Sequence, residues 1–515
     1  MRARPFGTCP RDCPSGLLGA IPSDSGAAEF RVWAPSAATV AVELDGSRHE
    51  LAEEDDGFWA GEFPASAGDD YRFVLDGGDE WPDPCSRWQP DGVRGPSRLL
   101  DPAGFEITPG PTLELDQLVV YELHVGTFSS EGTFDGVVPR LDELRELGIT
   151  AIELMPVGTS PGERGWGYDG LYTSAPHPAY GGPEGLARLV DAAHRAGLGV
   201  LLDVVYNHVG PGNEALRGFG AYFTDRFGET PWGEALDYRE RGVREWAIQN
   251  AELWVRDYKV DGIRIDTVHA VVDDSSEHVL AELARRVRAD APDALVISEM
   301  GQDDFRPLRD WGHDAMWLDS LHHALHVALT GERDGYYAAF DGSMASMAHE
   351  LSRPEGAQLV VCAQNHDQVG NRALGDRLPP AKLRLAQAVV YFSPFTPLLF
   401  QGEEYGETAP FQFFTDHIDP FIADATREGR RREFAGFAGF AAADVPDPQA
   451  SETFERSKLS PQPADELVAR LLRLRRELPR ELDVRIDEGA RTVELRRGAA
   501  ILRVDFDNET VELEA

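Results

Sequence analysis

The sequence predicts an α/β chain: a (β/α)₈ TIM barrel carrying an N-terminal β-sandwich domain and a short C-terminal β domain. Three observations predict it. Eight short β-rich runs recur between residues 117 and 406, separated by segments of helical periodicity. Ahead of them, residues 27 to about 100 alternate apolar and polar side chains with a period of two. After residue 483 that alternation returns.

The N-terminal elements come first. Val40, Val42 and Leu44 alternate with other residues, as do Tyr71, Phe73 and Leu75, which is the pattern of a strand with one buried face. Turn clusters such as DGGDEWPDP separate the runs. The eight barrel runs are VVYELHV, TAIELMPV, GVLLDVVYNH, DGIRIDTV, ALVISEM, AMWLDSL, QLVVCAQNHD and TPLLFQGEEYG. Between them, Leu186, Leu189, Val190 and Ala193 form one helical stripe, and Val243, Trp246, Ala247, Ala251, Trp254 and Tyr258 form another. Two loops are too long for plain connections: Val209 to about Tyr238 after strand three, and Glu407 to about Leu459 after strand eight. In the tail, Leu502, Val504 and Phe506 alternate, then Val511 and Leu513. The expected domains are 1–100 (β-sandwich), 110–475 (barrel) and 480–515 (C-terminal β domain).

Composition narrows the function classes. The chain has 515 residues and 42% apolar content, enough for a substantial core. A formal charge of −40 argues against a nucleic-acid partner, since a polyanion would be repelled. Of the 49 basic residues only Lys259, Lys382 and Lys458 are lysines, which fits salt adaptation or an Arg-biased genome equally well. No apolar run is long enough for a membrane span. No signal-peptide core follows MRARPFGTCP, so a cytoplasmic protein is expected. Cys9 and Cys13 lie close together but lack a second pair at metal-ligand spacing, and Cys362 reads as a core thiol. No cofactor and no metal are expected.

The chemistry concentrates at the C-terminal ends of the strands, where a barrel places its active site. Strand three supplies Asp203, Asn207 and His208; strand four Arg264, Asp266 and His269; strand five Glu299; strand seven Asn365, His366 and Asp367; strand eight Glu403 and Glu404. Arg264 and Asp266, two apart in an apolar run, point to the same side of a strand. An Arg beside a carboxylate favours its ionised form, as a nucleophile requires. Glu299 follows the apolar run ALVI, and burial there would raise its pKa, as a general acid requires. Two carboxyls pushed apart in this way are the equipment of a glycosidase. Asp367 is a third carboxylate, suited to stabilising an oxocarbenium-like transition state. Tyr168, with Trp166 nearby, is suited to stacking on a sugar ring. Asn207 reads as a structural hydrogen-bonding residue.

DVVYNH, GIRIDTVH, ISE and QNHD, in this order, resemble the four sequence blocks of the α-amylase superfamily of glycoside hydrolases. The resemblance implies Asp266 as nucleophile, Glu299 as general acid/base, Asp367 as transition-state stabiliser, and His208, Arg264 and His366 around the first sugar subsite, with retention of configuration. It favours an organising role for Asp203 and allows a calcium site through Asn207, for which the structural reading is preferred. A narrower resemblance covers nearly the whole chain. RVWAP, WPDPCSRWQPDGVRGPS, VYELHVGTFSSEGTFDG, HHALHVALTGERDGYYAAF, LLFQGEEYGETAPFQFFTDH and VPDPQASETFERSKL are similar to segments of malto-oligosyltrehalose trehalohydrolases. That family cleaves the α-1,4 bond next to the terminal trehalose of malto-oligosyltrehalose and works beside a malto-oligosyltrehalose synthase. The loop from Glu403 to His417, with Phe411 and Gln412, is then expected to close the leaving-group site. The other readings are a glycogen branching enzyme, which shares the β domain, barrel and triad, and a non-catalytic glucan-binding scaffold. Three departures stand out: Thr267 where an Ala is common, GQDDFRP after ISEM, and a short C-terminal domain.

Overall fold

The computed structural model of the protein describes residues 16–515 except 24, 231, 302–303 and 435–444, and not the side chains of Glu229 and Tyr336. Cys9 and Cys13 lie outside the described residues.

Two antiparallel sheets open the chain. One pairs Gly19–Pro22, Ala27–Trp33, Phe58–Pro64 and Ala52–Glu53; the other is built around Val40–Leu44 and Asp70–Leu75. The period-two reading holds: Val40, Val42 and Leu44 are buried while Ala41 and Glu43 are partly exposed. Trp33 joins this layer to the rest. Its ring meets Tyr222 edge-on at 5.0 Å. It also lies over Gly242, where a Cβ would fall 2.0 Å from the indole, so only glycine permits the approach.

The eight runs then form a closed parallel barrel. Its strands are β1 (Val120–Leu123), β2 (Ala151–Leu154), β3 (Gly199–Val204), β4 (Gly262–Ile265), β5 (Leu295–Glu299), β6 (Ala315–Trp317), β7 (Leu359–Cys362) and β8 (Thr396–Phe400). They are buried almost throughout, as a parallel sheet covered by helices requires. The outer layer includes α1 (Leu141–Leu147), α2 (Gly182–Ala196), α3 (Arg241–Asp257), α4 (Val279–Asp290), α5 (Asp319–Thr330) and α6 (Pro380–Phe392). Both helical stripes read from the sequence face inward: Leu186, Leu189, Val190 and Ala193 on α2, and Val243, Trp246, Ala247, Ala251 and Trp254 on α3, are buried.

The two long loops carry structure of their own. The first holds a short helix (Glu214–Phe219) and a hairpin (Phe223–Thr230 with Gly233–Leu236). The second holds the helices Pro420–Phe434 and Ser451–Arg456. After helix α7 (Glu466–Leu474), four antiparallel strands from Asp483 to Glu514 close the chain. Two buried arginines tie this end to the barrel. Arg475 donates to the carbonyls of Tyr391, Ser393 and Phe395, and Arg497 to those of Phe392, Ser393, Leu478 and Pro479. The bonds to Tyr391, Phe392 and Ser393 satisfy carbonyls at the C-terminal end of α6 that the helix itself leaves open.

Candidate active site

Arg264 is the hub. Its residue is fully buried at the end of β4. Nη1 donates to Asp203 Oδ2 at 2.6 Å and to Asp266 Oδ1 at 3.0 Å, and Nη2 donates to Glu299 Oε2 at 2.8 Å. The register explains this. Asp203 on β3 is the direct partner of Arg264 on β4, and Glu299 ends the next strand round the barrel. The guanidinium also lies 4.1 Å from the centre of the Trp317 ring on β6. Three carboxyls around one buried cation answer why charge sits in an apolar strand: Arg264 and the acids it binds offset one another's desolvation.

Thr267 follows Asp266 in the left-handed region, at φ 43° and ψ 50°. A β-branched residue is costly there. The strain aims both its N–H (2.9 Å) and its hydroxyl (3.2 Å) at Glu299 Oε2. The departure from Ala at this position therefore adds a donor to the acid.

The proton balance of the pair differs from the sequence expectation. Burial, and next the neighbouring Glu299, push the Asp266 carboxyl well above the carboxylate range and outweigh Arg264. Burial also works to raise Glu299, but Arg264 and the Thr267 N–H outweigh it and hold the carboxyl below its ordinary value. The reason is geometric: Arg264 gives its shorter bonds to Asp203 and Glu299 and its longest to Asp266. The two carboxyls act on each other: Glu299 helps to raise Asp266, and Asp266 helps to lower Glu299.

His366 stands on the other side of the cleft. Its Nδ1 lies 2.5 Å from Glu122 Oε1 on β1, and its Nε2 lies 2.8 Å from the Tyr168 hydroxyl and 3.3 Å from Asp367 Oδ2. Burial alone would lower its pKa, but Asp367 and then Glu122 lift it to about 10, so it is a cation at neutral pH. Asp367 accepts from Asn371 Nδ2 at 2.9 Å and is nearly a third exposed. Tyr168 is half-buried. Its hydroxyl donates to Asp203 Oδ2 at 2.6 Å, so Asp203 both pairs with Arg264 and anchors Tyr168. His208 shares a hydrogen bond with Asn207 Oδ1 at 3.1 Å and stacks on the exposed Trp232 at 5.3 Å. His269 is exposed on the turn after Asp266.

Three expected substrate-binding residues are placed otherwise. Phe411 is completely buried. It stacks under Trp166 at 5.2 Å and packs on His124, Phe400 and Phe414, so it supports the wall from behind. Trp166 in turn lies against Gly370, where a Cβ would come within 2.1 Å, and donates to the Gln412 carbonyl at 3.0 Å. Gln412 is buried too, and its amide nitrogen donates to the Leu374 carbonyl. Glu403 is 1% exposed and accepts from Gln364, Tyr391 and the Phe400 N–H beneath the barrel mouth. Burial pushes its carboxyl up to about 8. Glu403 follows the end of β8 and Phe411 and Gln412 lie in the long loop beyond it, but all three face the protein interior.

Sequence reasoning missed Glu122, Glu153, Trp317 and Asp319. Glu153 on β2 is 1% exposed, and neither carboxyl oxygen has a hydrogen-bond partner among the described residues. Burial, then Glu122 and Asp203, raise it well above the carboxylate range. Lone acids inside VVYELHV and TAIELMPV meet the same test as Arg264, a charge in a buried strand, and that signal would have found them.

A barrel with three carboxyls, a buried Arg and a cationic His at its C-terminal mouth defines the class, and the comparisons agree. The profile of the α-amylase catalytic domain matches residues 96–229 and 220–445. A crystal structure from Salmonella typhimurium, assigned provisionally to the α-amylases, superposes with a TM-score of 0.85 at 37% identity, over 95% of this chain and 93% of that one. The chain belongs to the α-amylase family. Within it, a protein of Deinococcus radiodurans named malto-oligosyltrehalose trehalohydrolase is 43% identical over 90% of this chain and 84% of its own length. One of the same name from Saccharolobus solfataricus is 40% identical over 88% and 86%. The chain is a member of the malto-oligosyltrehalose trehalohydrolase family. Among the described residues no helix is long and apolar enough to cross a membrane.

Proposed function

We propose that the protein hydrolyses the α-1,4 bond next to the terminal trehalose of malto-oligosyltrehalose, with retention, and releases trehalose and a shorter maltodextrin. The observation that carries the chemistry is the Arg264 hub, which gathers Asp203, Asp266 and Glu299 into one hydrogen-bonded cluster. The names and coverage of the relatives support the substrate.

The reaction needs one proton for the two carboxyls of the pair. It starts from the form in which Glu299 holds that proton and Asp266 is ionised. Asp266 attacks the anomeric carbon while Glu299 protonates the departing oxygen of trehalose; water then releases the sugar from Asp266, with Glu299 acting as base. Asp367 holds ring hydroxyls as positive charge develops. The His366 cation, fixed by Glu122, steadies Asp367. The trehalose end of the substrate is made by a separate enzyme, a malto-oligosyltrehalose synthase, and we place both activities in the cytoplasm.

The deciding experiment incubates the protein separately with maltopentaosyl-trehalose and maltoheptaose and resolves the products by chromatography. Rapid release of free trehalose with slow attack on maltoheptaose is expected. Comparable cleavage of both, or new α-1,6 branches, would refute the substrate reading and leave only the family.

A further inference from the structure

Asp319 takes no part in the two steps at Asp266 and Glu299. It opens α5 two residues after β6, and β6 lies between β5, which ends in Glu299, and β7, which leads to Asp367. The barrel order thus seats Asp319 between the candidate acid and the candidate stabiliser. The residue is only partly exposed, and no hydrogen bond or ion pair to its carboxyl is found among the described residues. Its neighbour Ser320, by contrast, is bonded to Glu350. A half-buried carboxyl without a partner costs free energy unless it acts on something nearby.

We propose that Asp319 is a positioning residue, outside the reacting carboxyls, whose negative charge keeps the reactive proton on Glu299. The inference rests on the reading of Glu299 as the acid. It meets a need the geometry creates: Arg264 and Thr267 both draw Glu299 towards ionisation, so the working form requires an opposing charge. A like charge nearby disfavours ionisation. The charged and titratable groups around Asp319 are Glu299 from β5, Arg264 from β4, His366 and Asp367 beyond β7, and the Cys362 thiol of β7; His322 and His323 lie on its own helix. Burial, then Glu299 and Asp367, push Asp319 up to about 7. It therefore gains its charge as the solution becomes alkaline, over the range in which the proton shared by Asp266 and Glu299 is most prone to leave.

The test is the pH dependence of kcat/KM on maltopentaosyl-trehalose for wild type, Asp319→Asn, Asp319→Glu and Glu299→Gln, with thermal denaturation to confirm folding. For Asp319→Asn the alkaline midpoint is expected to fall by about one pH unit, with kcat at the optimum held within about threefold. Asp319→Glu is expected to restore the wild-type midpoint. An unmoved midpoint in a folded Asp319→Asn, or equal loss at every pH in both Asp319 variants, overturns the proposal. Glu299→Gln separates the two readings. If it abolishes activity while the Asp319→Asn profile is unshifted, only the role of Asp319 fails; if it retains full activity, the acid itself was misread.

Discussion

Phe411→Ala tests whether the wall of the cleft works by contact with sugar or by support from behind. The ring is 0% exposed and touches Trp166, His124, Phe400 and Phe414. Truncating a buried Phe in such a cluster costs about 3–5 kcal/mol, the lost transfer free energy plus the cavity left behind. That is a large share of a typical net stability of about 5–15 kcal/mol. Trp166 loses the face it stacks on, and Trp166 packs edge-on against His366, so the damage reaches the cleft as disorder of that wall. The variant should melt well below the wild type. Activity measured at a temperature where it remains folded should fall on maltopentaosyl-trehalose and on maltoheptaose by similar factors. Phe411→Leu, closer in volume, should recover most of both. A variant that melts like the wild type yet loses trehalose release selectively would refute this reasoning, because the ring would then have to reach the trehalose unit in the working state.

Two further predictions concern buried charge. Glu403 holds its proton in the fold up to about pH 8, whereas an unfolded Glu releases it near its ordinary value, so the native state binds the extra proton over that window and stability falls as pH rises through it. The cost reaches about 5 kcal/mol above pH 8, to order of magnitude. Glu403→Gln should lack this slope, so its melting temperature should gain on the wild type steadily from pH 5 to pH 8; parallel curves would show that the carboxyl does not titrate there. The His366 cation works in the opposite sense: with its pKa raised to about 10, it contributes stability that is complete below the pKa of an unfolded His and is lost as pH rises through 10. Removing the carboxylate partner in Glu122→Gln should lower the His366 midpoint by about one to two units, the worth of one charge-assisted hydrogen bond. The alkaline fall in melting temperature should start correspondingly earlier, and an unchanged alkaline arm would mean that Asp367 alone holds the charge.

The sequence by itself determined the order and kind of the elements. Period-two alternation marked Val40–Leu44 and the strands of the tail, helical stripes marked α2 and α3, and all eight barrel runs became strands. These signals are local, since a strand or helix that buries one face must repeat with its own period. It also determined that Arg264 and Asp266 share a face, because two residues along a strand is a full pleat. Tertiary structure decided which neighbours that face meets. Glu122, Glu153 and Asp319 come into play only when the barrel closes and brings strands hundreds of residues apart in the chain into contact. Glu403 just after β8 and Phe411 in the loop beyond it lie where functional groups were sought, yet both are turned inward. The proton of the Asp266–Glu299 pair likewise follows from distances to one guanidinium and from burial, not from the residues beside each acid. Periodicity is a property of the chain, but burial and electrostatic coupling depend on every group within a few ångströms in space, and only the folded barrel brings those groups together.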